Sequence, residues 1–136
     1  MYLLDTNVVS EIRKQKPHGA VISWLEHTPA SQIYLPAPVL GELQVGVERA
    51  RRQDEAKAEE IDGWIDRVSA AFEVIPMHAA EFREWARIME GKPDQLSRDA
   101  MIAAVARTHR LIMVTRNIKD FQQLGVETLN PFLYKP

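Results

Sequence analysis

The sequence predicts an α/β fold, a three-layer α/β/α sandwich with a mostly parallel central sheet. Short apolar segments alternate with segments of helical periodicity along the whole chain, which is typical of right-handed βαβ units. The most continuous apolar run, Leu111 to Thr115, is typical of a strand buried on both faces of a parallel sheet. The chain has 136 residues, 46% of them hydrophobic, so we expect one domain that spans residues 1–136.

The first half of the chain is predicted to contain two strands and four helices. Its elements are, in order, a strand at 2–4, a short helix ending near residue 16, a helix at 20–27, a strand at 32–36, and helices from 38 to beyond 52 and at 58–71. Asp5-Thr6-Asn7 suits the N-cap of the first helix. Pro38 suits a first helical turn, because its missing N–H would have no partner there.

The second half continues the same alternation. Its predicted elements are a strand at 72–75, helices at 79–90 and 97–109, a strand at 111–115, a short helix at 118–124 and a strand at 126–129. Ser97 is predicted to be the N-cap of the helix that it opens. We expect the strand at 111–115 to be central in the sheet.

The composition excludes several classes of site. The chain has no cysteine, which removes a disulfide scaffold, a thiolate zinc site and a cysteine nucleophile. It contains no GxGxxG, Walker A or GxSxG motif. The net charge of −2 argues against holding nucleic acid by bulk electrostatics, so any such role requires local patches or a metal ion.

The N-terminal residues predict neither a signal peptide nor a membrane span. A charge already stands at Asp5, and no basic segment with a long apolar core precedes it. Together with the absence of cysteine, this favours a cytoplasmic protein with no membrane contact.

Five polar side chains from distant parts of the chain are predicted to meet at one edge of the sheet. Asp5 directly follows the first strand, Glu42 lies one turn into the helix after the second, and Asp99 opens the helix that leads to the strand at 111–115. Asn117 and Asp120 follow that strand. Parallel sheets bind ligands beyond the carboxyl ends of their strands, so the coincidence indicates a functional site.

Each of these residues also has a purely structural interpretation. Asp5 suits a helix cap, and Asp99 in a first helical turn is favoured by the helix dipole. Glu42 suits a solvated helix face, and Asn117 and Asp120 suit a turn. Carboxylates that crowd together repel one another, and a hard divalent cation such as Mg²⁺ or Mn²⁺ relieves that repulsion. The set as a whole therefore indicates a metal site.

The same residues resemble the motifs of the PIN domain. The segments that carry the resemblance are Asp5-Thr6-Asn7, Gly41-Glu42-Leu43 with Gly46, Asp99 within RDAMIAAVA, and Thr115-Arg116-Asn117 with Asp120-Phe121. Within the PIN domain the chain resembles the VapC-type toxins of bacterial toxin–antitoxin pairs, in particular the FitB-like branch, which the ending Leu129-Asn130-Pro131-Phe132 also suits. The similarity covers essentially the whole chain.

The resemblance implies a Mg²⁺-dependent endoribonuclease in which metal-activated water cleaves the RNA phosphodiester. It implies that Asp5, Glu42 and Asp99 bind the metal, with Mn²⁺ able to substitute. Asn117 stands at a fourth position where many relatives have Asp, and Asp120 is the candidate to replace the missing charge. The implied partners are a VapB- or FitA-like antitoxin, operator DNA reached only through that antitoxin, and a second copy of the chain.

Four further residues are candidates for supporting roles. Thr6 and Thr115 suit hydrogen bonds to a ligand carboxylate or to water, although capping is an equal alternative for Thr6. Arg98 and Arg116 flank site residues and suit phosphate contacts, with the balancing of excess acid as an equal alternative.

Two other functions compete with the ribonuclease. A catalytically weak PIN-like binding module, acting through its antitoxin and DNA complex, is favoured by Asn117 in place of Asp. A phosphohydrolase with an Asp nucleophile is disfavoured, because Asn7 stands where such sites commonly place a second Asp.

Overall fold

The protein is built on one sheet of five parallel strands. The computed structural model describes residues 1–136 and orders the strands β3-β2-β1-β4-β5. The strands are β1 (Tyr2–Leu4), β2 (Ile33–Pro36), β3 (Glu73–Ile75), β4 (Ile112–Val114) and β5 (Thr128–Leu129). The middle strand β1 pairs through Tyr2 with Ile33 of β2 on one side and with Ile112 of β4 on the other.

Seven α-helices flank this sheet. They are α1 (Thr6–Arg13), α2 (Gly19–Glu26), α3 (Ala37–Arg51), α4 (Glu55–Ala71), α5 (Ala79–Met89), α6 (Ser97–His109) and α7 (Ile118–Gln122). Three short 3₁₀ turns, at Ala30–Gln32, Asp94–Leu96 and Pro131–Leu133, complete the chain. The predicted α/β class with a parallel sheet is confirmed. No helix is both long and apolar enough to cross a bilayer.

The strand order creates a switch point between β1 and β4. From β1 the chain winds outward through β2 to β3, and it then returns to β4 and winds the other way to β5. Right-handed crossovers that run in opposite directions leave a crevice between the two starting strands, at their carboxyl ends. Asp5 and Thr115 are the residues that directly follow these two strands.

Two predictions about where helices begin or end were wrong in detail. The helix predicted to run past Arg52 ends at Arg51, and the next begins at Glu55 because the Asp54 carboxylate caps it, accepting the Lys57 N–H at 3.1 Å. Ser97 is the first residue of α6 and not its N-cap, since the 3₁₀ turn that ends at Leu96 leads directly into the helix. The strand predicted to be central, β4, does lie inside the sheet, paired with β1 on one side and with β5 on the other.

Helix α6 is the most deeply buried helix of the fold. Its buried residues are Ala100, Ile102, Ala103, Ala104, Val105 and Ala106. Burial on nearly every side explains why the helix lacks the one-sided apolar stripe of a surface helix. Small alanine side chains allow close packing, so the first turn of α6, with Asp99, has a fixed position relative to the sheet.

Contacts with α5 hold both ends of α6. The Trp85 indole N–H donates to the Ser97 carbonyl at 3.1 Å. At the other end, Nε2 of His109 lies 3.2 Å from Oε2 of Glu81, whose Oε1 accepts the backbone N–H of His78 at 2.7 Å. Burial alone would raise the pKa of Glu81, but the hydrogen bonds from His78 and His109 outweigh it and hold the pKa below its usual range.

We expect Glu81 to make folding stability depend on acid pH. Because its folded-state pKa is lowered, Glu81 stabilises the protein above the pKa of the unfolded chain, and this contribution disappears as the pH falls through the folded-state value. Glu81→Gln should therefore lower the free energy of unfolding by about 2 kcal/mol at pH 7 and by much less at pH 3. Urea unfolding measures both values.

Glu90→Gln is the matched control for this prediction. Glu90 is exposed and follows the last residue of α5, so its substitution should change the free energy of unfolding by less than about 0.5 kcal/mol at either pH. A Glu81→Gln deficit of the same size at pH 7 and pH 3 would contradict the ionic role of Glu81.

Candidate metal centre

Asp5 lies at the switch point and is almost completely buried, with 4% of its surface exposed. Its backbone N–H donates to the Val114 carbonyl at 3.0 Å and so continues the pairing of β1 with β4. Its Oδ1 accepts the Thr6 N–H at 2.7 Å, as expected for the predicted helix cap. Its Oδ2 accepts the Thr115 hydroxyl at 2.8 Å and the Asn7 side-chain amide at 3.1 Å.

The Asp5 carboxyl is strongly perturbed. The pKa of Asp5 is raised to about 6, mainly by burial and to a smaller extent by the negative charges of Asp99 and Glu42. The hydrogen bonds from Thr115 and Thr6 lower the pKa, but they do not cancel the effect of burial. A buried acid that remains costly to ionise is typical of a functional site.

Glu42 is the sixth residue of α3, and its side chain reaches the first turn of α1. The Thr6 hydroxyl donates to Oε2 of Glu42 at 2.8 Å and so connects the two helices. The alternative capping role of Thr6 is wrong, because Asp5 caps α1 and Thr6 is the first helical residue. Glu42 is half-buried and not on a fully solvated face.

Asp99 lies in the first turn of α6 and is half-buried. Burial raises its pKa, and the charges of Asp120 and Glu42 raise it further. Charge repulsion therefore acts between Asp99 and three other acids, since Asp99 in turn raises the pKa of Asp5. The four carboxylates predicted from the sequence form one electrostatically coupled cluster.

The structure distinguishes Asn117 from Asp120. Asn117 is the N-cap residue of α7, but its side chain makes no capping hydrogen bond, and its backbone N–H donates to the Thr115 hydroxyl at 2.9 Å. Asp120 is exposed in the first turn of α7, yet its charge raises the pKa of Asp99. Asp120 thus acts on the acidic cluster through its charge.

Sequence reasoning did not assign a role to Asn7. Besides its bond to Asp5, the Asn7 amide lies 3.4 Å from the Thr115 hydroxyl, and its Oδ1 accepts the backbone N–H of Arg116 at 3.3 Å. Asn7 therefore joins the two strand ends of the switch point. The signal available in the sequence was a third consecutive polar residue after the first strand.

The two flanking arginines lie at different parts of the rim. Arg98 is exposed and lines a groove of about 450 Å³, largely apolar, that Glu42 also borders. The guanidinium of Arg116 lies over the ring of Phe132, with its carbon 3.9 Å from the ring centroid.

The donor set suits a hard divalent cation that retains several waters. No three acidic or histidine side chains converge tightly enough to ligate one ion together. Mg²⁺ does not require such convergence, because one or two carboxylates commonly bind it while waters fill the remaining positions. A cation beside Asp5 and Asp99 would also relieve the repulsion that raises both pKa values.

The fold and the cluster define a parallel α/β protein with an acidic centre at the carboxyl ends of its strands. The chain belongs to the PIN domain family, whose model matches residues 2–127, and the resemblance of the motifs is thereby confirmed. It is 30% identical to the VapC ribonuclease Y4jK of Sinorhizobium fredii, over 97% of this chain and 98% of that protein. It is 29% identical to the toxin FitB of Neisseria gonorrhoeae, over 97% of this chain and 99% of FitB.

A solved structure supports the same relationship. The structure of FitAB bound to an IR36 DNA fragment matches this chain with a TM-score of 0.84 and 27% identity, over 100% of this chain and 99% of that chain.

We expect Asp120 to contribute more to cation binding than Asn117, because only Asp120 brings a negative charge. In calorimetry with Mn²⁺, Asp120→Asn should weaken binding about ten-fold, the scale of supporting groups around metals, and Asn117→Ala should weaken it less. Asp5→Asn serves as the reference for the loss of a direct ligand. Equal affinities of Asp120→Asn and the wild type would remove Asp120 from the site.

Proposed function

We propose that this chain is the toxin of a toxin–antitoxin pair and acts as a metal-dependent endoribonuclease. The observation that carries the proposal is the coupled acidic cluster around buried Asp5, in a chain that belongs to the PIN domain family. The name of the similar VapC ribonuclease supports RNA as the substrate, and the name of FitB supports the role of a toxin.

The proposed cation is Mg²⁺, with Mn²⁺ able to substitute. Asp5 and Asp99 would hold the ion, with Glu42 acting directly or through water and Asn117 and Asp120 completing the site. A bound divalent cation activates a water molecule and neutralises charge on the phosphodiester.

The protein's own residues prepare this site by fixing the carboxylates. The Thr115 hydroxyl and the Asn7 amide hold one oxygen of Asp5, and the Thr6 N–H holds the other. The Thr6 hydroxyl orients Glu42 in the same way. Because these bonds are made within the protein, the carboxylates need little rearrangement when the cation and the RNA bind.

The proposed partner is an antitoxin. The similar FitAB structure is a complex that is bound to DNA, which supports a toxin that reaches operator DNA through its partner. A net charge of −2 agrees with this, since the chain itself lacks the positive charge typical of a direct DNA binder. We also propose that the chain forms a homodimer.

RNA cleavage by the purified chain tests the proposal. With single-stranded RNA and Mg²⁺ we expect internal cleavage that stops on addition of EDTA or of the purified antitoxin. Asp5→Asn should lower the rate by more than about 100-fold, because it removes a direct ligand and not only a supporting group. Asp94→Asn is the matched control, since Asp94 is an exposed acid in the turn before α6.

Two outcomes would contradict the proposal. Equal cleavage by the wild type and Asp5→Asn would assign the activity to a contaminant. Absence of cleavage from a chain that still binds its antitoxin would favour the catalytically weak binding module.

A further inference from the structure

The side chain of Arg116, at the rim of the acidic centre, stacks on an aromatic ring. The Arg116 guanidinium lies over Phe132 at 3.9 Å from the ring centroid. Phe132 is itself buried, with 7% of its surface exposed, and the His18 ring packs edge-on against it with centroids 5.3 Å apart. Phe132 is therefore a fixed platform, and the guanidinium on it has lost much of the freedom of an exposed arginine.

The backbone of Arg116 is fixed to the acidic centre. Its N–H donates to Oδ1 of Asn7, and the side-chain NH₂ of Asn7 donates to Asp5. The preceding residue, Thr115, donates its hydroxyl to Asp5. Both ends of Arg116 are thus positioned, the backbone by the site and the guanidinium by Phe132.

The N–H groups of the guanidinium are not used within the protein. Arg116 is exposed, and no carboxylate lies within ion-pairing distance of it. The acid on which its charge acts is buried Glu11, whose oxygens accept the Lys14 ammonium at 2.8 Å and the His18 N–H at 3.0 Å. The positive charge of Arg116 is therefore available to a ligand from solvent.

The acidic centre needs a positively charged side chain beside it in order to bind RNA. An RNA strand that approaches four carboxylates is repelled by them, and a metal ion at the centre offsets this only near the scissile phosphate. Neighbouring phosphates need a positive group of the protein. Because its guanidinium lies over Phe132 and its charge acts on Glu11, Arg116 stands beside the centre and not within it.

We infer that Arg116, held on Phe132, binds a phosphate of single-stranded RNA next to the scissile phosphate. The inference rests on the proposed ribonuclease function and names a substrate contact for it. Arginine offers two parallel N–H donors to a phosphate, a geometry that lysine lacks. Phe132 is a positioning residue in this account, because it acts through Arg116.

Steady-state cleavage of an oligoribonucleotide tests the contact. Arg116→Ala should raise KM about ten-fold with kcat nearly unchanged, because a contact to a non-reacting phosphate contributes to ground state and transition state alike. It should also reduce the slope of log affinity against log salt by about 0.7, the value for one phosphate of a single strand. Arg116→Lys should restore the salt slope but only part of the affinity.

The platform has its own test. Phe132→Leu keeps the apolar volume but removes the aromatic face, so KM should rise about three-fold. The double variant should be no worse than Arg116→Ala, since Phe132 acts only through Arg116. Arg110→Gly is the control for the loss of one positive charge, because Arg110 follows the end of α6 that is remote from Asp99. Glycine suits this position because the backbone of Arg110 is left-handed, with φ of 56°.

Binding and cleavage separate this inference from the function on which it rests. Fluorescence anisotropy with the labelled oligoribonucleotide, in the Asp5→Asn background, measures affinity without turnover. Equal affinity and salt slope for Arg116→Ala and Arg110→Gly would overturn the inference while leaving the ribonuclease intact. Absence of metal-dependent cleavage by the wild type would overturn the proposed function, whatever the binding result. If the wild type shows no metal-dependent cleavage and the two arginine variants bind RNA equally, both the proposed function and the Arg116 contact are overturned.

Discussion

The hydrogen bond from the Thr115 hydroxyl to the buried Asp5 carboxylate holds the candidate site together. It joins the carboxyl ends of β1 and β4, the two strands between which the direction of winding changes, and it is 2.8 Å long. A carboxylate buried at this point is costly to ionise, and neighbouring acids add to that cost. The carboxylates of the cluster therefore repel one another, and a bound cation would reduce that repulsion.

The surrounding fold keeps the other carboxylates close to Asp5. Helix α6 is buried on nearly all sides, so Asp99 cannot move away without disrupting the core. The Thr6 hydroxyl holds Glu42 against the first turn of α1. Asp120 is exposed and is held by no such bond, so its contribution is electrostatic. The rigidity of the site therefore decreases from Asp5 outward to α7.

Much of this arrangement was predictable because parallel sheets collect the residues that follow their strands at one edge. That rule places Asp5 and Asp120 near one another, and Asp99 joins them because a helix that leads into a parallel strand begins at the same edge. The three acids prove to be electrostatically coupled. Side-chain partners were not predictable, because they depend on rotamers and on how helices pack. The bond from Thr6 to Glu42 is one example, and the stacking of Arg116 on Phe132, a residue from the far end of the chain, is another.

Thermal unfolding with and without Mn²⁺, at pH 7.5 in wild type and Asp5→Asn, tests the central claim most directly. The folded-state pKa of Asp5 is raised to about 6, so ionised Asp5 lowers stability above that pH. We predict that without metal Asp5→Asn unfolds at a temperature as high as the wild type or higher. Mn²⁺ should raise the unfolding temperature of the wild type only. A clearly less stable Asp5→Asn without metal, together with equal stabilisation of both proteins by Mn²⁺, would contradict the account.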